Sequence, residues 1–316
     1  MVFKDKSTFF HHLMFAKLRI SIFVPMKLGA IDVGSNAIRV LIAEVKKPLG
    51  VWQYSKISYL RLPVRLGDDV FEKGKISEPK IDRFLEGMNI FKAMLDFYKV
   101  DAFRAVATSA MRDSSNAKRI QSRVFKETGI TLEVISGKEE AELVYLTFQL
   151  MHNVKTNYLL VDVGGGSTEI TLFQDNQIHA AKSFQIGSVR LLKNKVKPEE
   201  WDKMRAWIAE EIFPHQPQRT FGSGGTINSV HKMLENSSKQ PVTINQLNEL
   251  IKKIEGLSME ERLVRFPIKE DRADVIVPAM EIYATVLDAL NLSEIYVPKM
   301  GLSDGVLLDL YRDKTL

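Results

Sequence analysis

Residues 31–36 read IDVGSN, and residues 161–166 read VDVGGG. In both places a short apolar run ends in an aspartate, a glycine turn follows, and a second apolar run begins after the turn. Apolar runs bounded by glycine are typical of buried β-strands. Repetition of the whole pattern in the second half indicates an internal duplication. The sequence therefore predicts two α/β domains that face each other across a cleft, where a ligand usually binds.

The two glycine turns are candidate phosphate loops. Glycine has no Cβ, so backbone N–H groups can approach an anion closely, and the neighbouring hydroxyl and amide side chains add donors. The candidate phosphate-binding residues are Gly34, Ser35, Asn36, Gly165, Gly166, Ser167 and Thr168. Two loops of one kind can hold a phosphate from both sides, whereas the alternative is a pair of ordinary hairpin turns.

A third glycine turn precedes a predicted helix over residues 227–234. Residues 222–226 read GSGGT, and a glycine turn before a helix offers free N–H groups and the positive end of the helix dipole to an anion. Gly224, Gly225 and Thr226 are therefore further candidates for phosphate binding. By itself, the same stretch also fits a simple turn.

Two aspartates precede the paired loops. Asp32 and Asp162 stand at the ends of the predicted strands, but a carboxylate repels a phosphate. A divalent cation between the two groups resolves this repulsion, and Mg²⁺ suits oxygen ligands. The sequence therefore predicts a Mg²⁺ site at these aspartates. The alternative for either aspartate alone is a turn-forming residue that binds its own backbone.

An arginine and a glutamate complete the candidate site. Arg112 lies in a polar turn beyond the C-terminal end of a predicted strand, where α/β proteins bind ligands. A guanidinium there can hold a phosphate through two hydrogen bonds. Glu139 and Glu140 lie in the first turn of a predicted helix, where an acidic residue could act as a general base at the cleft. The alternatives are a surface ion pair for Arg112 and a favourable helix-dipole contact for the two glutamates.

Hydrophobic periodicity predicts the remaining elements. Strands are predicted at residues 28–33, 38–45, 51–64, 102–107, 132–135, 158–163, 168–173, 178–184 and 295–297. Helices are predicted at residues 78–99, 116–127, 137–151, 227–234, 272–290 and 303–311. The helix at 78–99 has one apolar face, which we interpret as core. This face is formed by Ile81, Phe84, Leu85, Met88, Phe91 and Leu95.

Length and composition limit the class of protein. The chain has 316 residues, which suits two domains of about 150 residues each. There is no cysteine, so disulfides and thiolate metal sites are excluded. The net charge of +5 is a weak indication of a polyanionic partner, and no apolar run is long enough for a membrane helix. The six histidines show no metal-ligand spacing, so we interpret them as structural or surface residues.

The first 25 residues differ from those that follow. They include Lys4, Lys6, Lys17 and Arg19 and a short apolar stretch, which loosely resembles a signal peptide without a small-residue cleavage site. Met26 stands directly before the first predicted strand. We therefore expect residues 1–25 to be an upstream extension that is not native, with the true start at Met26.

Taken together, these stretches resemble the exopolyphosphatase / guanosine pentaphosphate phosphatase family (Ppx/GppA) of the actin-like ATPase superfamily. The resemblance covers nearly all of residues 28–310, in the family's order. The matching stretches are IDVGSNAIRVLIA (31–43), VRLG (64–67), ATSAMRDSSN (107–116), ISGKEEA (135–141), VDVGGGSTE (161–169), IGSVRL (186–191), GSGGTI (222–227) and RADVIVP (272–278). The combination is highly specific, although no single stretch is.

The resemblance implies a function as well as a fold. It implies two actin-like (ribonuclease H-like) domains, and Mg²⁺-dependent hydrolysis of the terminal phosphate of polyphosphate or guanosine pentaphosphate, a nucleotide of the stringent response. It implies that Glu140 is the catalytic base and that Glu169 organises metal and water. It also implies that Asp162 holds Mg²⁺ and that Arg112 holds a further phosphate.

The resemblance also implies an organisation and a location. We expect domain I at residues 26–149, domain II at 150–300, and a C-terminal helix at 301–316 that packs back on domain I. Long family members carry a further helical domain, so this chain resembles the short form. We expect a cytoplasmic enzyme without nucleic-acid or membrane partners, and a homodimer that would extend a basic groove along a polyanion.

Two departures from the family pattern affect the expected substrate. The first loop reads SNAIR instead of the SNSFH of some members, and residues 301–305 lack the arginine-glutamate-glycine of many members. Two rival functions stay open: an acceptor-dependent kinase of the same superfamily, and a non-enzymatic actin-like scaffold that binds nucleotide. A kinase would need an acceptor, and a scaffold would need neither Glu140 nor Arg112.

Overall fold

The computed structural model describes residues 25–47, 51, 53–148, 157–175, 177–237 and 240–315. The extension predicted at residues 1–25 lies outside this range except for its last residue. The domain boundary predicted between residues 149 and 150 also lies outside the described residues. Both therefore stay predictions.

The first half of the chain forms a five-stranded mixed sheet. Its strands are β1 (Met26–Val33), β2 (Ile38–Lys46), β3 (Gln53–Leu62), β4 (Ala102–Ala107) and β5 (Leu132–Val134). They lie in the order β3-β2-β1-β4-β5, with β1, β2 and β3 antiparallel and with β4 and β5 parallel to β1. Strand β1 is buried without interruption from Leu28 to Val33, which explains its unbroken apolar sequence.

A four-stranded sheet in the second half repeats this connectivity. Its strands are β6 (Tyr158–Val163), β7 (Thr168–Gln174), β8 (Gln177–Phe184) and β9 (Arg219–Ser223), in the order β8-β7-β6-β9. This order corresponds to β3-β2-β1-β4 of the first sheet, with the same antiparallel and parallel pairings. The predicted α/β fold is confirmed, and the equal strand orders agree with the predicted duplication. Strands β10 (Val242–Thr243) and β11 (Glu294–Ile295) form a separate small sheet, so the strand predicted at 295–297 is wrong in extent.

Five helices accompany the first sheet. They are α1 (Leu66–Lys73), α2 (Glu78–Tyr98), α3 (Ser109–Asp113), α4 (Ala117–Thr128) and α5 (Gly137–Phe148). The apolar face predicted for α2 is buried as expected. Helix α3 replaces the polar turn predicted around Arg112, since the Arg112 N–H donates to the Thr108 carbonyl at 2.9 Å. Helices α1 and α3 were not predicted because they are too short to show a 3.6-residue period.

The second half of the chain is richer in helices. They are α6 (Ser188–Leu192), α7 (Pro198–Trp207), α8 (Gly225–Met233), α9 (Ile244–Glu255), α10 (Met259–Arg265), α11 (Glu270–Ala273), α12 (Ile276–Ala289) and α13 (Leu302–Thr315). The single helix predicted at residues 272–290 is wrong, because the chain breaks between α11 and α12. At the break, the Asp274 carboxylate accepts a hydrogen bond from Arg65 at 2.6 Å. Helix α12 restarts close before Pro278, whose missing N–H is tolerated in a first turn.

Three buried apolar clusters hold the fold together. One lies in the second half, one lies in the first half and also includes Val189 and Val275, and the third joins both sheets to the last helix. In the third cluster, Leu307 of α13 packs with Leu41 of the first sheet and Phe173 of the second. Helix α13 also contacts α5, β1, β2 and β4. Among the described residues, no helix is both long and apolar enough to cross a membrane.

Candidate active site

The two predicted phosphate loops adopt the same turn. In the first loop the Gly34 N–H donates to the Ala37 carbonyl at 3.2 Å, and in the second the Gly164 N–H donates to the Ser167 carbonyl at 2.9 Å. Each turn joins the first two strands of its sheet. The repeated sequence therefore produces the same backbone hydrogen bond in both loops, between two residues that are three positions apart.

The two loops are in direct contact across the cleft. A Cβ built on Gly165 would lie 2.9 Å from Ser35 Cβ and 3.7 Å from the Asn36 nitrogen. A Cβ on Gly166 would lie 2.6 Å from Ser109 Oγ, the hydroxyl that is also 2.8 Å from Ser35 Oγ. A side chain at either glycine would fill the space between the loops, so the absence of a Cβ permits this close approach.

Several predicted phosphate donors already have protein partners. The Thr168 hydroxyl donates to the Ile186 carbonyl at 2.6 Å, and the Asn36 side-chain amide donates to the Asp271 carbonyl at 2.8 Å. These two hydrogen bonds hold the loops in place. Backbone N–H groups are therefore better placed than these two side chains to receive a phosphate.

Strand register gives the two aspartates opposite surroundings. Asp32 of β1 is the register partner of Arg39 on β2, and Asp162 of β6 is the register partner of Glu169 on β7. Arg39 Nη1 donates to Asp32 Oδ2 at 2.8 Å. In the first sheet the carboxylate is thus neutralised by a cation, whereas the second sheet holds two carboxylates side by side.

Three buried carboxyl groups gather on the side of the second sheet. Burial together with repulsion from Asp162 raises the pKa of Glu169 to about 7, although hydrogen bonds from Ser183 and Ser167 act in the opposite direction. Burial also raises the pKa of Asp162. The pKa of Glu140 is raised well above its ordinary value, first by burial and then by repulsion from Glu169 and Asp162. The pKa values of these groups stay raised although Arg112 and Arg39 lie nearby, and a bound cation would add further positive charge.

Two adjacent glutamates of α5 have different environments. The Glu140 side chain is 13% exposed, and its Oε2 accepts no hydrogen bond from any described residue. The Glu139 side chain is 41% exposed and pairs with Arg104 at 2.8 Å. Of the two, only Glu140 is a buried carboxylate with an acceptor oxygen that is not engaged, which is the state expected of a general base before a water binds.

Arg112 lies beside the predicted base. Its Nη1 donates to the Ile135 carbonyl at 2.8 Å and is 3.6 Å from Glu140 Oε2. Burial raises the pKa of Glu140, and the positive charge of Arg112 lowers it. The predicted phosphate ligand and the predicted base are thus neighbours.

The third glycine turn closes around Asp162. Gly224 has a φ of 107°, which favours glycine, and a Cβ there would lie 3.1 Å from Asp162 Oδ1. A Cβ on Gly225 would lie 2.6 Å from Arg272 Nη2, and the Arg272 guanidinium donates to the Gly225 carbonyl and to Ser229 Oγ. The third glycine turn therefore lies between the Asp162 carboxylate and the half-buried Arg272 guanidinium.

Sequence reasoning missed a cluster of three arginines. Arg39 and Arg61 are register partners on β2 and β3, and the Arg61 side chain is 5% exposed and pairs with Asp271. Burial together with repulsion from Arg61 and Arg39 lowers the pKa of Arg272 to about 10. An anion would relieve this repulsion. Arg39 and Arg272 lie in stretches that match the family, but their proximity depends on strand register and tertiary packing.

The acidic residues fit Mg²⁺ in part. Among the described residues, no group of three or more acidic or histidine side chains forms a complete metal cage. Mg²⁺ is commonly held by one or two carboxylates together with waters and substrate phosphates, and Asp162 and Glu169 meet that requirement as uncompensated neighbours. Asp32 fits less well because one of its oxygens accepts a hydrogen bond from Arg39.

Comparisons with known proteins identify relatives of this chain. A bifunctional 3-dehydroquinate synthase/phosphatase of Fusobacterium nucleatum is 36% identical over 200 residues, which cover 58% of this chain and 30% of that protein. Exopolyphosphatase 2 of Mycobacterium tuberculosis is 27% identical over 90% of this chain and 98% of that protein. The crystal structure of an exopolyphosphatase from Cytophaga hutchinsonii, 28% identical, aligns with a TM-score of 0.77 over 91% of this chain and 98% of that one.

The family assignment rests on most of the chain. The sequence profile of the Ppx/GppA phosphatase family matches residues 42–314. The match includes the second and third glycine turns, Arg112, Glu140 and Glu169, and the resemblance seen in the sequence is confirmed. The chain therefore belongs to the Ppx/GppA phosphatase family.

Proposed function

We propose that the chain hydrolyses the terminal phosphate of inorganic polyphosphate, with Glu140 as general base. One observation carries the proposal: the Glu140 carboxylate has a buried oxygen that accepts no hydrogen bond from any described residue, and this oxygen lies 3.6 Å from Arg112 and near the carboxylates of Glu169 and Asp162. The names of the relatives from Mycobacterium tuberculosis and Cytophaga hutchinsonii support the same activity.

In this proposal Glu140 orients a water and accepts its proton during attack on the terminal phosphorus. The raised pKa of Glu140 makes its carboxylate a stronger base than an exposed glutamate. The proton passes to Glu140 Oε2, the P–O–P bond breaks, and the shortened chain leaves with the bridging oxygen. Arg112 stabilises charge on the transferring phosphoryl oxygens.

The phosphates bind to the backbone of the loops, beside the place where the loops touch. Backbone N–H groups of the turns at residues 34–36 and 165–168 would hold the terminal phosphate. Thr226 and the turn at Gly224 and Gly225 would hold a following phosphate near the buried arginines. Arg61 and Arg39 repel Arg272 when no anion is bound. A bound polyanion relieves this repulsion, so its binding free energy is more favourable at this cluster than at isolated surface charges.

We propose Mg²⁺ as the cofactor, held by Asp162 with Glu169 nearby and with Asp32, which fits less well, on the opposite loop. When bound, Mg²⁺ would neutralise charge on the phosphates. The protein residues contribute the rest: the Ser183 hydroxyl donates a hydrogen bond to Glu169 at 2.7 Å and holds this carboxylate in place. Titration of Mg²⁺ into the metal-free enzyme, followed by phosphate release, tests this assignment.

The substrate also needs a test. Guanosine pentaphosphate ends in the same kind of anhydride, so it stays the second candidate substrate, with a role in the stringent response. We further propose a cytoplasmic enzyme, a homodimer, and domains at residues 26–149 and 150–300 with residues 301–316 packed on the first. The two separate sheets support this division.

The deciding experiment measures phosphate release with Mg²⁺ from long-chain polyphosphate, guanosine pentaphosphate and ATP. We expect one phosphate at a time to be released from polyphosphate, with chains shortening from the end. Turnover of ATP only when an acceptor is added would favour the kinase instead. No release from any substrate, together with nucleotide-dependent sedimentation, would favour the scaffold.

A further inference from the structure

Two histidines meet at the end of the second sheet that is remote from the cleft. His179 lies on β8, and His215 ends a short 3₁₀ turn (Phe213–His215) that follows a π-helical turn (Ile208–Ile212) after α7. Their Nε2 atoms are 3.1 Å apart, and their ring centroids are 4.3 Å apart. The centroids are only slightly farther apart than the nitrogens, so the rings lie partly side by side and not end to end.

The other polar atoms of His215 are already engaged. Its Nδ1 is 2.9 Å from the side-chain amide of Gln174, and its carbonyl accepts a hydrogen bond from Asn157 at 3.3 Å. Rotation of the Gln174 amide by half a turn presents its oxygen to Nδ1–H. In that tautomer, His215 Nε2 carries a lone pair that can bind a metal in place of its hydrogen bond with His179, and the Gln174 amide fixes the ring orientation.

The separation of the two nitrogens suits a shared metal ion. With metal–nitrogen bonds of about 2.0–2.1 Å, two ligands are about 3.3 Å apart in a tetrahedral site and about 2.8 Å apart in a square-planar one. The observed 3.1 Å lies between these values. A small rotation of either ring is therefore enough to reach either geometry.

This pair is distinct from the candidate active site. Gln174 and Glu169 lie on the same strand, five residues apart, which corresponds to roughly 17 Å. The pair also offers nitrogen ligands, whereas the active site offers oxygen ligands suited to Mg²⁺.

We propose that His179 and His215 form a surface site for a divalent transition metal of the Zn²⁺, Ni²⁺ and Cu²⁺ group. The two imidazoles supply two ligands, and waters complete the coordination. His179 is exposed and His215 is half-buried, so solvent water can reach a metal ion held by the pair. The two histidines are 36 residues apart in the sequence, which explains why sequence spacing did not indicate a metal site.

Calorimetric titration of the untagged full-length protein with Zn²⁺, Ni²⁺ or Cu²⁺ tests the proposal. We expect wild-type protein to bind Cu²⁺ more tightly than Ni²⁺ or Zn²⁺. His179→Gln and His215→Gln should each weaken this binding at least about 10-fold, and Gln174→Ala should weaken it about 10- to 100-fold. Gln177→Ala, on the same strand but outside the pair, is the matched control and should bind as wild type does.

Phosphate release and circular dichroism of each variant verify that the protein remains folded. Histidines elsewhere in the chain contribute equally to all variants, so the difference between variants isolates the pair. Equal metal affinity in wild type and in both histidine variants would overturn the proposal, because the pair would then be a hydrogen bond between two neutral rings.

Discussion

A difference in charge at one pair of register positions distinguishes the two halves of the site. Arg39 faces Asp32, whereas Glu169 faces Asp162. The duplicated strands thus keep the same geometry but carry different chemistry. The first half supplies positive charge for the substrate, and the second half supplies carboxylates for a cation and a water.

Removal of the cation next to Asp32 should destabilise the protein. The Arg39 and Asp32 side chains are 21% and 9% exposed, so Arg39→Met leaves a buried carboxylate without a partner. We expect a loss of about 3 kcal/mol in the free energy of unfolding, near the low end for broken buried pairs. Urea denaturation measures it, and Arg83→Met, which breaks an exposed pair with Glu86, should cost less than about 1 kcal/mol. Equal losses in both variants would contradict this interpretation of Arg39.

At the scale of the elements, the loops depend on glycine where they touch. A methyl group at position 166 would meet the Phe71 ring and lie 2.6 Å from Ser109 Oγ. We therefore expect Gly166→Ala to shift the loop and to lower kcat/KM about 100-fold, the usual result of a displacement near 1 Å. Steady-state kinetics measures this effect. Gly256→Ala is the control, because no atom lies within 4 Å of the position that its methyl group would take, and a large loss there would contradict the steric argument.

The start of α2 should give the protein a pH-dependent stability. Burial alone would raise the pKa of Asp69, but hydrogen bonds from the Ser77 hydroxyl and N–H lower the pKa below its ordinary value. A lowered carboxyl pKa stabilises the folded state above the unfolded pKa, and this stability is lost as pH falls through the folded pKa. Asp69→Asn should remove that part of the acid dependence of the unfolding free energy.

Unfolding measured between neutral and acidic pH tests the role of Asp69. Ser77→Ala should reduce the same dependence, and the double variant should lose less than the sum of the two single variants. An unchanged acid dependence in Asp69→Asn would contradict the assignment.

For the whole molecule, ion pairs join the two halves of the chain, and we expect them to favour a closed cleft over an open one. Arg65 pairs with Asp274 at 2.6 Å, so Asp274→Asn should increase the open population about fivefold, as expected for about 1 kcal/mol. The chain has no cysteine, so labels on Lys126→Cys and Lys253→Cys can report the opening by energy transfer. Asp202→Asn, which breaks a pair within α7, is the control. Equal energy transfer in both would show that the Arg65 pair does not control closure.

The sequence was sufficient for features that depend on neighbouring residues. The strand–turn–strand repeats and the buried face of α2 follow from local patterns, and both were predicted. The arginine cluster was missed because the pairing of Arg39 with Arg61 depends on a register that shifts at a bulge after Ile42. The break before α12 was missed because the partner of Asp274 is Arg65, far away in the sequence.

A comparison of two adjacent glutamates of one helix decides whether Glu140 is the general base. Phosphate release from long-chain polyphosphate is measured for wild type, Glu140→Gln and Glu139→Gln at saturating substrate. We predict that Glu140→Gln lowers kcat by roughly 10²–10⁴, the usual contribution of a general base. Glu139→Gln, which removes only a partly exposed pair with Arg104, should keep kcat near the wild-type value. Unchanged turnover in Glu140→Gln would contradict the proposed mechanism, and loss of turnover only in Glu139→Gln would move the base to its neighbour.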